Sequence, residues 1–480
     1  MSNSKFTNIT LNYLVSNFAP RAASLMLLPV FLRLMEISIW GEISLLLAFQ
    51  IVFVNISSWG LDSLSYRVFQ DFEDNKKNEF IKKITKKFIV YNLIFLTMLE
   101  FALNTNLTSI FKIDYGVPFR LMVLIGMLLS FTRLLTSLYK SINESVVIRN
   151  SVYLETFLIP SIQLMLVSLV IYFYGFEDRM IVTSYFLGQF FGTLAKVMYL
   201  KSKSSLLFST LGKQTFNLSQ KMQQNYSNLS YVYALFSMLL VWQDRFFLSR
   251  YYTLEEVAEY STVYRLVDLH GVFMGAFVAA FAPILWSVNT NKKQSLYLFK
   301  LIISLSSLLG CLGVCISTVI GPLILPLKYQ EALVIIPYLA IGMIVGGLAG
   351  LYGLLLEKKF KVIIRVYSMA FGALVNFLVI YFTIEKFSIL GLSFATASGY
   401  FIVFLINYFY ADKEYKSLLR NREALMSFSI IGLFIIIYRD VWFLNLFFLT
   451  LSVLILGYML YLLKKLLNIQ NEDFQIWRTE

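Results

Sequence analysis

Apolar residues run along this chain in blocks of about 20, and each block closes on a charged residue or on an Asn, Gly or Pro. A helix of that length crosses a bilayer, whereas a β-barrel strand would alternate apolar and polar positions over a shorter segment. The pattern predicts fourteen spans. The first six are Leu11 to Leu32, Gly41 to Ser63, Phe88 to Phe111, Phe119 to Tyr139, Val152 to Tyr174 and Ile181 to Leu200. A polar stretch, Lys201 to Asn228, follows. The other eight are Leu229 to Ser249, Val263 to Val288, Leu296 to Ile320, Leu333 to Leu356, Val362 to Phe382, Ile389 to Tyr410, Ala424 to Tyr438 and Phe443 to Leu463. The first block lacks a small-residue cleavage site and is expected to be a retained span.

Composition agrees with a membrane chain. Of 480 residues 58% are hydrophobic and 14% charged, against roughly 45–50% and 25% in soluble domains. The net charge of +13 would suit nucleic acid, but in a membrane chain the informative property is its sidedness. Most Lys and Arg fall at the N-terminus, after even-numbered spans and at the C-terminus, including Lys76, Lys77, Lys82, Lys83, Lys86 and Lys87. The positive-inside rule then puts both termini of a multi-pass membrane protein in the cytoplasm, with no nucleic-acid partner expected. Cys311 and Cys315 share one span and read as packing residues; no metal is expected, and His270 is the only histidine.

The chain echoes itself. Arg33, Gly41, Glu42 and Ser44 have the spacing of Arg250, Ala258, Glu259 and Ser261, and the string LVIYF occurs at Leu169 to Phe173 and again at Leu378 to Phe382. Two parallel six-span repeats follow: an N-terminal lobe over 1–200, a cytoplasmic linker over 201–228 and a second lobe over 229–410. Residues 411–480 add two helices and a tail. Such a design suits alternating access between two lobes.

Four arginines fall inside apolar blocks: Arg21, Arg133, Arg245 and Arg265. One such residue costs at least about 2.5–3.5 kcal/mol to insert, so it faces a cavity or a partner. A cationic lining would hold a phosphate-bearing headgroup; the competing reading is salt bridging or snorkelling, for which Asp244 and Asp268 are the carboxylates near Arg245 and Arg265. Asp62 and Glu100 are candidates for ion coupling or charge pairing, Asp62 also reading as interfacial. Gly342, Gly346 and Gly350 form a small-residue stripe suited to close helix packing. No phosphate-binding loop of the GxxxxGK[ST] kind occurs, so direct ATP use is unsupported.

The stretch Leu28 to Arg67 resembles the opening of O-antigen flippases (Wzx-type), polysaccharide exporters within the multidrug/oligosaccharidyl-lipid/polysaccharide exporter superfamily. Further matches are Asp244, Arg245, Glu255 to Tyr264 and Pro283, and then Asn376, Gly391 and Ala395. Ala258 departs from the glycine usual before the tyrosine motif. The resemblance implies an all-α, two-lobed fold with a cationic central cavity. It implies transport of undecaprenyl-diphosphate-linked glycan repeat units to the outer leaflet, alongside membrane lipids, a polysaccharide polymerase and a chain-length regulator. No cofactor is expected beyond a proton or sodium gradient. The alternatives are a cation-coupled drug antiporter of the same superfamily and a membrane-bound polysaccharide polymerase; the latter usually carries a large outer loop, which the span pattern lacks.

Reporter tags at Asn75, Ser209 and the C-terminus should read as cytoplasmic, and tags near Asp114 and Thr253 as external. Labelling of a cysteine at Lys77 by an impermeant reagent in intact spheroplasts would overturn that topology.

Overall fold

The computed structural model describes residues 25–69, 74–103, 116–142, 144–208, 220–268, 321–359 and 361–417, with a few isolated positions besides. Among these residues every regular element is helical. In order they are α1 (Leu25–Leu34), α2 (Ile37–Ser58), α3 (Leu61–Val68), α4 (Asp74–Leu103), α5 (Val117–Ser141), α6 (Ser145–Tyr153), α7 (Ile159–Tyr174), α8 (Asp178–Ser202), α9 (Gln220–Tyr251) and α10 (Leu254–Val267). Then come α11 (Ile336–Lys358), α12 (Val362–Tyr410) and α13 (Lys413–Ser417). Most of the first and eighth spans, the ninth, thirteenth and fourteenth spans, His270 and both cysteines lie outside the described residues.

Ile37–Ser58, Val117–Ser141, Ser145–Tyr174, Leu327–Glu357 and Val362–Tyr410 are each long and apolar enough to cross a membrane. The last has 49 residues, about 73 Å if straight, more than twice the roughly 30 Å of hydrocarbon. It is two spans. Ser388, at φ 44 and ψ −128, breaks it, and the halves fold back so that a Cβ on Gly391 would meet Thr383 and one on Gly372 would meet Gly399 and Val403. The break falls where the sequence separates the eleventh and twelfth spans.

Three boundaries differ from expectation. The second span ends at Ser58 because Trp59 (φ 49) and Gly60 (φ 69) both turn left-handed. Glycine is required at the second position, where a Cβ would also lie 2.5 Å from the Ser227 carbonyl oxygen. The third helix starts at Asp74 rather than Phe88, so the lysine-rich segment is helical. Its buried stripe is Phe80, Ile84, Phe88 and Asn92 at four-residue spacing, and Asn92 donates to the Ser57 carbonyl at 3.2 Å. The fifth span carries a π-turn at Leu154–Leu158, in which the Ile159 N–H reaches the Leu154 carbonyl. Pro160 explains it: the ring has no N–H to give and would clash with the carbonyl four residues back, so the turn widens.

The chain divides into two compact units between Ser261 and Thr262, within α10. In the first, α7 packs on α8, α8 on α5, α5 on α2, and α9 on α2 and α3. In the second, α11 packs along α12. The repeated sequence strings sit in matching local devices. Helix α1 ends at Leu34 and α2 begins at Ile37; α9 ends at Tyr251 and α10 begins at Leu254, each time one turn ahead of Gly41 or Ala258. Ser44 and Ser261 are both buried with their hydroxyls unpartnered. Six residues ahead of the first LVIYF, Gln163 receives Gly188; six ahead of the second, Gly372 receives Gly399. The Tyr-Phe pairs closing the strings have matching edge geometry, 5.0 Å at 83° and 5.4 Å at 79°.

Lys77 is 1% exposed, with its ammonium 6.0 Å from the Phe69 ring, so a cysteine there is shielded and the labelling test belongs at exposed Lys83. A second expectation concerns packing. A Cβ on Gly188 would lie 2.6 Å from the Gln163 Cα, whereas one on Gly350 meets nothing within 4 Å. Gly188→Leu should therefore lower stability by about 1–3 kcal/mol, and Gly350→Ala should leave it within about 0.5 kcal/mol. Thermal melting in detergent checks both; equal melting temperatures would refute the α7–α8 contact.

Candidate functional site

A polar column runs through the first unit on faces of α2, α5, α7 and α8. Hydrocarbon offers no hydrogen bonds, so polar side chains there must meet one another. At the upper level the Gln50 and Gln189 amides exchange hydrogen bonds of 3.2 and 3.0 Å between α2 and α8. About 7–10 Å toward the far ends of the same helices, α2 carries Asn55 and α8 carries Lys196. The Arg133 guanidinium on α5 is exposed and donates to Asn55 Oδ1 at 3.2 Å. Lys196 forms an ion pair with Glu155 on the π-turn. Lys196 is 8% exposed and Glu155 36%.

Lys140, in the last turn of α5, interacts electrostatically with Lys196, Arg133, Asp62 and Glu155, and Glu155 with Lys196, Arg133 and Lys140. Next to it Tyr139 donates to the Leu200 carbonyl at 2.6 Å, pinning α5 to α8. Among the described residues the cluster thus gathers three cations, Arg133, Lys140 and Lys196, with two carboxylates, Glu155 and Asp62. No group of His, Cys, Asp and Glu among the described residues is arranged to hold a metal.

The matching position in the second unit is different. Lys196 lies eight residues beyond Gly188, and Asn407 eight beyond Gly399; Glu155 lies eight before Gln163, and Ile364 eight before Gly372. There Arg365, beside Ile364, pairs with Glu357 at the end of α11, and the Asn407 amide donates to the Ala349 carbonyl at 3.0 Å. That pair is neutral.

The expected site residues separate. Arg21 lies outside the described residues. Arg133 and Asp62 join the cluster above. Arg245 is fully engaged: its backbone N–H and Nη1 donate to Asp244 Oδ1 at 2.8 and 3.0 Å, Nη1 reaches the Val241 carbonyl at 3.2 Å, and the guanidinium lies 4.4 Å from the Trp242 ring. The Tyr260 hydroxyl donates to the other Asp244 oxygen at 2.6 Å. With Arg245 2% and Asp244 0% exposed, this pair joins α9 to α10 rather than lining an open surface. Arg265 lies in the last turn of α10 and Asp268 follows the helix, each half-buried. Glu100 lies 3.9 Å from Arg120, both exposed; Arg120 is three to four turns along α5 from Arg133, so Glu100 is not its partner.

Glu155, Lys140 and Lys196 were missed as site residues. Glu155 reads as an inner-boundary residue, and attention to arginine alone passes over Lys196, although it interrupts the Ile181 to Leu200 block. The signal that would find both is a Glu before a mid-block Pro and a Lys inside the next block, opposite charges on neighbouring spans.

The Glu155–Lys196 pair should be coupled. Lys196→Gln should cost on the order of 1–3 kcal/mol, below the full penalty of a buried pair because Glu155 is partly open. The double variant with Glu155→Gln should recover part of the loss. Strictly additive melting shifts would show that the two do not interact.

No family model matches the chain, and no curated protein does. Among solved structures it is similar to the lipid II flippase MurJ in an inward closed conformation, at TM-score 0.65 and 10% identity over 96% of this chain and 98% of that one. It is also similar to a multidrug resistance MATE family transporter of the MOP superfamily in an outward-facing conformation, at TM-score 0.61, 11% identity and coverages of 87% and 97%. A third is the Vibrio cholerae MATE transporter VcmN in the bent form, at TM-score 0.58, 13% identity and coverages of 88% and 98%.

Proposed function

We propose that this multi-pass membrane protein is a flippase for a lipid carrying a diphosphate-linked glycan, moving it from the cytoplasmic to the outer leaflet for surface polysaccharide assembly. The fold it shares with a lipid II flippase and with MATE transporters supports a transporter of that fold class. What supports an anionic substrate is the gathering of three cations, Arg133, Lys140 and Lys196, around Glu155 and Asp62. Clustered guanidinium and ammonium groups suit a diphosphate, which offers them several acceptor oxygens.

In this reading the exposed Arg133 guanidinium, which also donates to Asn55, meets the diphosphate first. Lys140 and Lys196 lie deeper in the column, where Glu155 keeps one of them neutralised until substrate competes for it. Arg21 is proposed to contribute in the same way. A proton or sodium gradient drives return of the empty carrier, with Glu155 and Asp62 the carboxylates available to the coupling ion. The glycan's sugar identity is left to the assembly system it serves, and both termini face the cytoplasm.

The second reading, a cation-coupled drug antiporter, is favoured by the likeness to MATE transporters and by the presence of carboxylates in the same column. The two differ in the sign of charge they must attract.

In a flippase-null strain, Arg133→Lys should keep partial surface glycan, Arg133→Ala and Arg133→Gln should lose most of it, and Arg133→Glu should abolish it. The same order is expected at Arg21. Membrane protein level is measured in parallel. Normally expressed Arg21→Ala and Arg133→Ala variants that restore full glycan would sink the proposal, and raised drug tolerance without glycan would favour the antiporter.

A further inference from the structure

Helix α4 presents a second charged surface, distinct from the polar column and independent of the transport reading. Its inward stripe of Phe80, Ile84, Phe88 and Asn92 fixes the rotation of the helix. The stripe is anchored where Phe80 packs against Phe69 at the end of α3, with centroids 6.0 Å apart, beside buried Lys77. With that rotation set, Lys82, Lys83, Lys86 and Lys87 all point outward and are exposed. None of the four makes a hydrogen bond or ion pair among the described residues.

Continuing along the same face, the next exposed residues are Ile89, Val90, Leu93 and Ile94, with Met98 beyond them. At 100° per residue, Lys82, Lys83, Lys86 and Lys87 cover the sector that Ile89, Val90, Leu93 and Ile94 cover one to two turns further on. Four unpaired ammonium groups therefore sit directly above a lipid-facing apolar strip, within about two turns of it. Glu79, exposed on the same face one turn before Lys82 and Lys83, is the single acidic residue described there and leaves three positive charges in excess.

The geometry points to an anionic-phospholipid docking site on α4, in which Lys82, Lys83, Lys86 and Lys87 hold the phosphate headgroups of lipids whose acyl chains lie along Ile89, Val90, Leu93 and Ile94. A lysine stem reaches sideways from a helix to the headgroup level while its charge stays hydrated. A cluster of this size immediately outside a span attracts anionic leaflets. A soluble acidic protein would be drawn by the lysines alone but would have no use for the apolar strip continuous with them. The charge asymmetry of the chain assigns this surface to the cytoplasmic leaflet.

Native mass spectrometry of the full chain, released from detergent with phosphatidylglycerol or cardiolipin and with zwitterionic phosphatidylcholine as the reference, tests the site. The wild type should retain the anionic lipids preferentially. The variant Lys82→Gln/Lys83→Gln/Lys86→Gln/Lys87→Gln should weaken that retention by about tenfold or more, and the corresponding four Lys→Arg changes should preserve it. Lys201→Gln/Lys203→Gln, which removes exposed lysines at the end of α8, should leave it intact. If the fourfold Gln variant fails to accumulate, Lys86→Gln/Lys87→Gln and Lys82→Gln/Lys83→Gln are measured separately and should each give part of the loss. Undiminished retention in the Gln variants, or equal loss in the Lys201/Lys203 variant, would overturn the site.

Discussion

A polar side chain inside a membrane protein must be answered by another, because the surrounding hydrocarbon cannot answer it. That constraint sets the packing of the first unit. Gln50 meets Gln189, Asn55 meets Arg133, Asn92 meets the Ser57 carbonyl, Tyr139 meets the Leu200 carbonyl and Glu155 meets Lys196. Each contact ties two helices together. Apolar surface alone would leave their rotations loosely defined, since lipid tails satisfy Leu and Phe as well as a neighbouring helix does. Arg245 follows the same rule with its needs met inside the protein by Asp244, the Val241 carbonyl and Trp242.

Around Glu155, on a turn widened by Pro160, three cations and two carboxylates gather among the described residues. In the second unit the same position holds a closed, neutral pair between Glu357 and Arg365, with Asn407 where Lys196 would be. The two units therefore differ in the charged groups they hold at this position.

Much of the fold was legible in the sequence. The block lengths of apolar residues place the hairpin break near Ser388, and the Arg33-to-Ser44 and Arg250-to-Ser261 spacings match the like boundaries between α1 and α2 and between α9 and α10. What hydropathy cannot register is structure carried by polar sequence. The basic start of α4 is helical because its inward stripe is apolar, yet its mean character is charged. The break after α2 rests on Trp59 and Gly60, of which only the glycine signals a turn. The site was read in part: Arg133 and Asp62 belong to the cluster, and the carboxylates expected beside Arg245 include the one it uses. Lys140, Lys196 and Glu155 escaped because each sits near a block end or interrupts one, where a charge looks interfacial until the neighbouring helix is known.

The central claim is that the clustered cations of the first unit serve a diphosphate-linked lipid. Its most direct measurement is transbilayer movement in proteoliposomes. The purified chain is reconstituted with a fluorescent undecaprenyl-diphosphate oligosaccharide, and the label reaching the opposite leaflet is scored by an impermeant quencher. The account predicts ion-gradient-dependent movement of the diphosphate lipid, lost in a variant carrying Arg133→Gln and Lys140→Gln, with little movement of a neutral-headgroup analogue. Movement of cationic drugs with none of the diphosphate lipid, or equal transport by that variant, would contradict it.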